Sequence, residues 1–225
     1  MAAITWDDAG KRFWETGTKK GVIYPYDSGQ SKYTGGVAWN GLTAVTESPS
    51  GAEETALYAD DMKYGSMRSA EEYGFTIEAY TYPDEFAKLD GTATPESATG
   101  VYFGQQSRGV FGFSYVTTIG NDVTNEAGYK LHLIYGATAS PSEKAYTSVN
   151  DSPEAITFSW ECTTNPVTVA GYDPVGCITI DSTKADAECL AALEAKLYGT
   201  GAGGSAGPEL PLPTEVITLM TPAEE

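Results

Sequence analysis

The stretch YGFTIEAYTY, residues 73–82, alternates apolar and polar side chains more regularly than any other part of the chain. Its odd-numbered positions place Phe75, Ile77 and Ala79 on one face, and its even-numbered positions place Thr76 and Glu78 on the other. Successive side chains of a β-strand point to opposite faces. The pattern therefore predicts a strand with one buried face and one face towards water or a partner.

Residues 155–163 repeat this two-faced pattern. Ile156, Phe158 and Trp160 share one face, whereas Ser159 and Glu161 share the other. This spacing predicts a second strand that is buried on one side.

The rest of the chain favours a mainly β fold. Short segments rich in β-branched and aromatic residues are separated by turns, and the sequence contains 25 glycines and 12 prolines, which suit tight turns. Helix signals occur at residues 83–91, with Pro83 at the start and Gly91 at the end, and at residues 182–199. In the second helix, Ser182-Thr183 is the predicted cap. The predicted architecture is a β-sandwich or open barrel with peripheral α-helices.

Two β-prone segments, residues 55–59 and 63–67, flank the pair Asp60-Asp61. Aspartate pairs between such segments are typical of a turn or of the tip of a longer loop. We therefore expect an extended segment over residues 52–68 with this pair at its turn or tip.

A change in composition near residue 199 divides the chain into two predicted parts. Residues 1–198 contain the sandwich domain, and residues 199–225 begin with a Gly- and Pro-rich stretch typical of a flexible linker. Residues 214–221 are β-prone and apolar at Val216, Ile217 and Leu219. Because a lone strand is unstable by itself, this C-terminal arm is expected to stay disordered or to pair with another sheet edge.

The charge of the chain bears on its partners. Lys and Arg number 13 and Asp and Glu number 31, which gives a formal net charge of −18. Nucleic-acid affinity comes largely from the neutralisation of phosphates by Lys and Arg, so this surface should repel DNA. Two roles agree with that charge: no contact with DNA, or a wall along which DNA slides without sticking.

Catalytic and metal-binding patterns are missing from the sequence. The single histidine, His132, is expected to be a partly exposed strand residue, and no GxSxG motif or metal-ligand spacing accompanies it. Residues 199–204 (GTGAGG) match GxGxxG in letters but follow a predicted helix, where a dinucleotide site requires a strand. We therefore expect no enzymatic activity, no cofactor and no metal.

The three cysteines, Cys162, Cys177 and Cys189, are too few and too irregular for a disulfide framework. Free thiols in a reducing compartment are the favoured interpretation, with a Cys162–Cys177 bridge as the alternative. No apolar run approaches the roughly 20 residues that a bilayer-spanning helix needs, so no membrane partner is expected.

Several long strings of the sequence resemble the major tail proteins, or tail tube proteins, of long non-contractile-tailed bacteriophages. They include WDDAGKRFWETG at residues 6–17, the GVIYP segment at 21–25 and GVAWNGL at 36–42. The resemblance continues through 54–61, TIEAYTYPD at 76–84, FGFSYVTTIG at 111–120, 129–136 and SPEAITFSW at 152–160. It covers most of residues 1–164.

This resemblance implies a structural virion protein whose β-sandwich forms hexameric rings that stack into a tail tube. It also implies a helical assembly that serves as the conduit for genome ejection. The implied partners are other copies of the chain, the tape-measure protein and the tail-tip and terminator proteins, with DNA passing through the lumen without specific binding. The implied location is the virion tail, and the host cytoplasm during assembly.

Within such a tube, the polar strand faces suggest Glu78 and Glu161 as candidate lumen-lining residues, although these faces could instead point outward. The two extended segments suggest the candidate inter-subunit contacts: Asp60, Asp61, Tyr64, Val216, Ile217 and Leu219.

Two other functions remain open at this point. An aromatic-rich sandwich on a virion or cell surface could bind carbohydrate, with Trp39, Tyr80 and Tyr82 as a stacking platform. A glycosidase would need two carboxylates at a fixed separation across a cleft. Self-association separates these functions from a tube protein, because neither of them requires a polymer.

Overall fold

The computed structural model describes residues 4–148, 154–200 and 207–222. Its strands are β1 (Phe13–Asp27), β2 (Lys32–Thr34), β3 (Val37–Ala38), β4 (Leu42–Glu47), β5 (Ser50–Gly51), β6 (Glu54–Ala59), β7 (Met62–Arg68), β8 (Glu71–Glu72), β9 (Gly74–Ala79), β10 (Phe111–Asn121), β11 (Gly128–Ala139), β12 (Phe158–Thr164), β13 (Val167–Val169), β14 (Tyr172–Val175), β15 (Cys177–Asp181) and β16 (Glu209–Leu210). Its helices are α1 (Asp84–Leu89), α2 (Ala187–Tyr198) and α3 (Pro213–Leu219).

Ten strands form one antiparallel sheet that curls into an open barrel. The order is β16-β2-β1-β10-β11-β12-β9-β4, with β3 paired to β1 and β15 paired to β11. The chain between β3 and β4 closes the curl, since the Trp39 amide donates to the Gly21 carbonyl of β1 at 2.7 Å and the Tyr80 amide donates to the Gly41 carbonyl at 2.9 Å. The predicted mainly β sandwich or open barrel is confirmed.

Two apolar cores lie on opposite faces of β1, β10 and β11. Inside the barrel, these strands face β4, β9 and β12 across a core that includes Phe75, Phe113 and Trp160. On the outside, the same strands pack against α2 and α3 around Leu193 and Val216. Strands buried on both faces need a nearly continuous apolar sequence, which FGFSYVTTIG at residues 111–120 supplies.

Both strands predicted from alternation are present. Phe75, Ile77 and Ala79 of β9 are buried, and their neighbours Thr76 and Glu78 lie on the outer face. In β12, Trp160 and Cys162 are buried, whereas Glu161 and Thr163 are exposed. The strand begins at Phe158, three residues later than the pattern suggested.

Both helices predicted from the sequence are also present. Pro83 is the N-cap of α1, which closes one end of the barrel with the buried side chains of Phe86 and Leu89. The cap of α2 differs from the prediction: the Asp186 carboxylate, rather than Ser182 or Thr183, accepts the amide hydrogens of residues 188 and 189. An aspartate at this position satisfies two helix amides that have no partner within the helix.

The predicted C-terminal β-strand over residues 214–221 is wrong, because these residues lie mainly in α3. A short strand, β16, precedes the helix and pairs with β2, and the Tyr135 hydroxyl donates to the Pro211 carbonyl at 3.0 Å. Val216 is buried against the chain's own outer core, which removes it from the surface. Residues 207–222 thus pack on the body of the chain, while 201–206 of the predicted linker lie outside the described residues.

Candidate functional site

The outer face of β4, β9 and β12 is polar and acidic, and it contains both predicted lumen residues. Glu78 lies opposite Ser159 in the ladder and Glu161 lies opposite Thr76, so the two glutamates are diagonal neighbours on one face. β4 continues this face with Ala44 beside Glu78. Each glutamate lies on the polar face of its strand, as the alternation predicts, and the register brings these two faces together.

A shallow cleft of about 320 Å³ lies on this face, and the carboxylates of Glu143 and Glu161 line it. The Ser142 hydroxyl accepts the Glu161 amide hydrogen at 3.1 Å and holds the loop after β11 against β12. Within the described ranges, no Lys or Arg forms an ion pair with Glu78, Glu143 or Glu161. The face therefore presents uncompensated negative charge on a regular sheet.

A second surface is the arm, which we define as residues 50–72. Its strands β6 and β7 pair with each other, and β5 pairs with β8 at its base. Asp60 and Asp61 form the tip, with φ of 50° and 60°. Positive φ at both central residues is the geometry of a type I′ turn, which matches the twist of a two-stranded hairpin. The predicted extended segment with Asp60-Asp61 at its turn is confirmed.

The arm exposes an unusual number of large apolar side chains. Tyr64 is 80% exposed and Tyr58 is 73% exposed, and three further side chains on the arm are also exposed: Leu57, Met62 and Met67. An isolated two-stranded hairpin is marginally stable in water. Large apolar side chains exposed in such number on one segment typically mark a contact with another molecule.

The remaining predicted contact residues lie on α3. Ile217 is about half exposed, and Leu219 is partly buried where α3 packs on the outer core. The surface of α3 is therefore smaller and less apolar than that of the arm.

The root of the arm is held by a polar cluster that the sequence did not predict. Glu47, the last residue of β4, accepts a hydrogen bond of 2.6 Å from the Tyr115 hydroxyl. The His132 ring stacks on the Tyr115 ring at 4.4 Å, and its Nδ1 lies 3.6 Å from the Glu47 carboxylate. At the other root, the Thr164 hydroxyl donates to the Tyr73 carbonyl at 2.7 Å. Both ends of the arm are thus tied to the barrel.

His132 is buried, with 8% of its surface exposed, rather than partly exposed as predicted. Its ring nitrogens contact the hydroxyls of Thr117 and Thr179 at 3.0 and 3.3 Å. Burial lowers the pKa of His132 below its ordinary value of 6.5, against a smaller opposing effect of Glu47. The neutral ring is therefore the form that the folded chain favours.

The burial of His132 predicts a loss of stability in acid. The unfolded chain binds the proton at a higher pH than the folded chain, so stability is fully present above pH 6.5 and falls as the pH drops through the lowered folded pKa. We expect the urea midpoint of the wild type to fall more between pH 7.5 and pH 5 than that of His132→Gln. Parallel curves for the two proteins would contradict this account.

Trp39 does not belong to an exposed aromatic platform. Its ring is 3% exposed, and its indole N–H donates to the Thr81 carbonyl at 2.8 Å. Tyr80 and Tyr82 remain accessible, but Tyr82 packs edge-on against Trp160 at 5.3 Å. The three aromatic residues therefore do not form the stacking platform of the carbohydrate-binding alternative.

The other potential site residues are the cysteines and the metal-binding residue types. Cys162, Cys177 and Cys189 are free thiols, as the favoured interpretation predicted. Among residues 4–148, 154–200 and 207–222, no three His, Cys, Asp or Glu side chains converge as metal ligands. In this part of the chain, no helix has the length and apolar character needed to cross a bilayer.

Comparison with known proteins identifies no family for the chain. It matches no protein-family model, and no curated protein is significantly similar to it.

Proposed function

We propose that the chain is a structural subunit that polymerises into stacked hexameric rings and forms the tail tube of a long non-contractile-tailed phage. The observation that carries the proposal is the arm, a hairpin without a partner strand that exposes five large apolar side chains. The resemblance of most of residues 1–164 to tail tube proteins supports this choice of assembly.

The energetics of the arm favour a polymer. Each large apolar side chain that moves from water into a contact contributes about 1.5–3 kcal/mol when fully buried. Tyr64 and Tyr58 are largely exposed in a free subunit, so their burial does not stabilise it. A neighbouring copy that covers the arm would stabilise both the hairpin and the assembly.

The acidic sheet face suits a conduit for DNA. Glu78 and Glu161 lie on the outer side of a regular sheet, where several copies around a ring would present rows of carboxylates. Carboxylates cannot replace the counterions around the DNA phosphates, so contact with this wall gains no free energy from counterion release. DNA would therefore pass such a wall without adhering. In this proposal that face lines the lumen, which first holds the tape-measure protein and later the DNA.

Removal of the arm tests the proposal. Gly51 lies opposite Glu71 in the β5–β8 ladder, so an Asn-Gly turn can join these positions in place of residues 52–70. We expect this shortened chain to keep its thermal midpoint and to raise the critical concentration for tube formation by more than about 100-fold, as the loss of a major apolar contact implies. Sedimentation and negative-stain electron microscopy measure the polymer.

A matched control is Tyr146→Ser, which removes a tyrosine outside the arm that is as exposed as Tyr58 of the arm. This variant should form tubes as the wild type does. Tubes from the shortened chain at the wild-type concentration would refute the role of the arm.

A further inference from the structure

We propose that the arm of one copy docks on one defined surface of a second copy, the N-terminal face. This face comprises residues 4–20, Val123 and the cleft between Trp14, Lys130 and Lys184. The inference rests on the proposed function for self-assembly and adds the acceptor surface to it.

The arm combines apolar side chains with negative charge. It has six acidic and two basic residues. Both bases, Lys63 and Arg68, bind the same carboxylate, that of Glu54, at 2.9 and 3.4 Å. Neither base of the arm therefore pairs with Asp60 or Asp61 at the tip, and these carboxylates lie beside the exposed rings of the arm. A partner surface should be apolar and rich in Lys or Arg.

The N-terminal face has this character. In a chain with 13 basic and 31 acidic residues, residues 4–20 contain four basic and three acidic residues. Lys11 and Arg12 lie 3.1 and 3.8 Å from the carboxylates of Asp8 and Asp7. Lys19 and Lys20 are the other two bases. Lys184, whose side chain is 81% exposed, lies at the cleft and pairs there with Asp181 at 3.1 Å. The face is thus a region where acidic side chains do not outnumber basic ones.

The same face exposes large apolar side chains. Trp6 is 78% exposed, and four others accompany it: Ile4, Phe13, Trp14 and Val123. Together with the arm, this face accounts for ten of the twenty exposed large hydrophobic residues in the described ranges. Half of the exposed large apolar side chains are therefore concentrated in two places of complementary charge.

The cleft is a preformed binding site for the arm. It has a volume of about 410 Å³, larger than one aromatic side chain, and Phe13, Trp14 and Ile119 form its apolar wall. The indole of Trp14 lies against β10, where a Cβ at Gly120 would come within 2.6 Å of the indole nitrogen. Ion pairs of Lys130 with Glu15 and of Lys184 with Asp181 frame the opening. A tyrosine of the arm tip fits this combination of apolar wall and polar rim.

The two surfaces belong to different parts of the chain, so the contact is heterologous. Each copy offers one arm and one acceptor, and repetition of such a contact produces a closed ring or an open filament. The contact thus leads to continued assembly rather than to a simple dimer.

Charge exchange between the two surfaces tests the contact. The arm variant combines Asp60→Lys with Asp61→Gly, which keeps a turn residue suited to positive φ. The acceptor variant combines Lys11→Glu with Lys184→Glu, both at exposed side chains. We expect each variant alone to raise the critical concentration for polymerisation at least about tenfold, because like charges then face each other.

A chain that carries all four substitutions should polymerise within about threefold of the wild-type critical concentration, because opposite charges face each other again. Lys88→Glu on α1 is the control for a change of net charge and should behave as the wild type. Wild-type polymerisation by either two-site variant, or failure of the four-site chain to recover, would overturn the N-terminal face as acceptor and leave self-assembly standing. A wild-type chain that stays monomeric would instead overturn the proposed function.

Discussion

Replacing Asp90 by alanine is expected to destabilise the chain by about 3–5 kcal/mol, as the loss of one partner from a buried ion pair does. The Asp90 side chain is 7% exposed and binds Arg108 at 3.1 Å and Lys144 at 2.8 Å. It also accepts the indole hydrogen of Trp160 at 3.3 Å. Without this carboxylate, two largely buried cations and one buried N–H group lose their partner. Thermal and urea unfolding, followed by circular dichroism, measure the change.

The matched control is Glu85→Ala, which removes an exposed carboxylate from the same helix. Its effect should stay within about 0.5 kcal/mol, as for most surface substitutions. Equal stability of the Asp90 and Glu85 variants would show that the buried carboxylate does not hold α1 in the barrel end.

The second large effect is expected from Trp160→Ala, at about 3–5 kcal/mol for a fully buried tryptophan. Trp160 is 0% exposed and packs against Trp39 at 5.4 Å and Phe86 at 5.2 Å between ring centres. Its removal leaves a cavity between the two walls of the barrel and α1, which a close-packed interior fills only in part. Urea unfolding measures the change in the midpoint. The m-value of the variant is compared with that of the wild type to show that the change in midpoint reflects stability.

Two further variants define the origin of this effect. Trp160→Phe keeps most of the ring volume but loses the bond to Asp90, so its stability should lie between those of the wild type and the alanine variant. Tyr172→Ala, at an exposed ring of β14, should be nearly neutral. A Trp160→Ala chain as stable as the Tyr172 variant would contradict the assignment of Trp160 to the main core.

The parts of the fold that local patterns determine could be predicted from the sequence. Alternation around Ile77 fixes which face of β9 is buried, and it places Glu78 on the outer face. The turn at Asp60-Asp61 follows from two β-prone segments around residues that tolerate positive φ. Leu190, Leu193 and Leu197, three to four residues apart in the sequence, form the buried side of α2.

The C-terminal segment shows where local propensity fails. Val216, Ile217 and Thr218 favour a strand by their β-branched side chains, yet the segment forms α3 because Val216 and Leu219 pack together on the outer core. Pro213 at the first helical position is the signal that favoured a helix.

The polar clusters depend on residues far apart in the chain. Glu47 meets Tyr115 across 68 positions, and Asp90 meets Lys144 across 54. No local pattern encodes such pairs, since they follow from the closure of the barrel. The cleft beside Trp14 has the same origin, because its walls come from β1, β10, β11 and the turn after β15.

Self-assembly can be tested by negative-stain electron microscopy of the purified full chain over a range of concentrations, with mass photometry at the low end. We expect hollow tubes or stacked rings with sixfold symmetry above a critical concentration. A chain that remains a monomer at every concentration would contradict it.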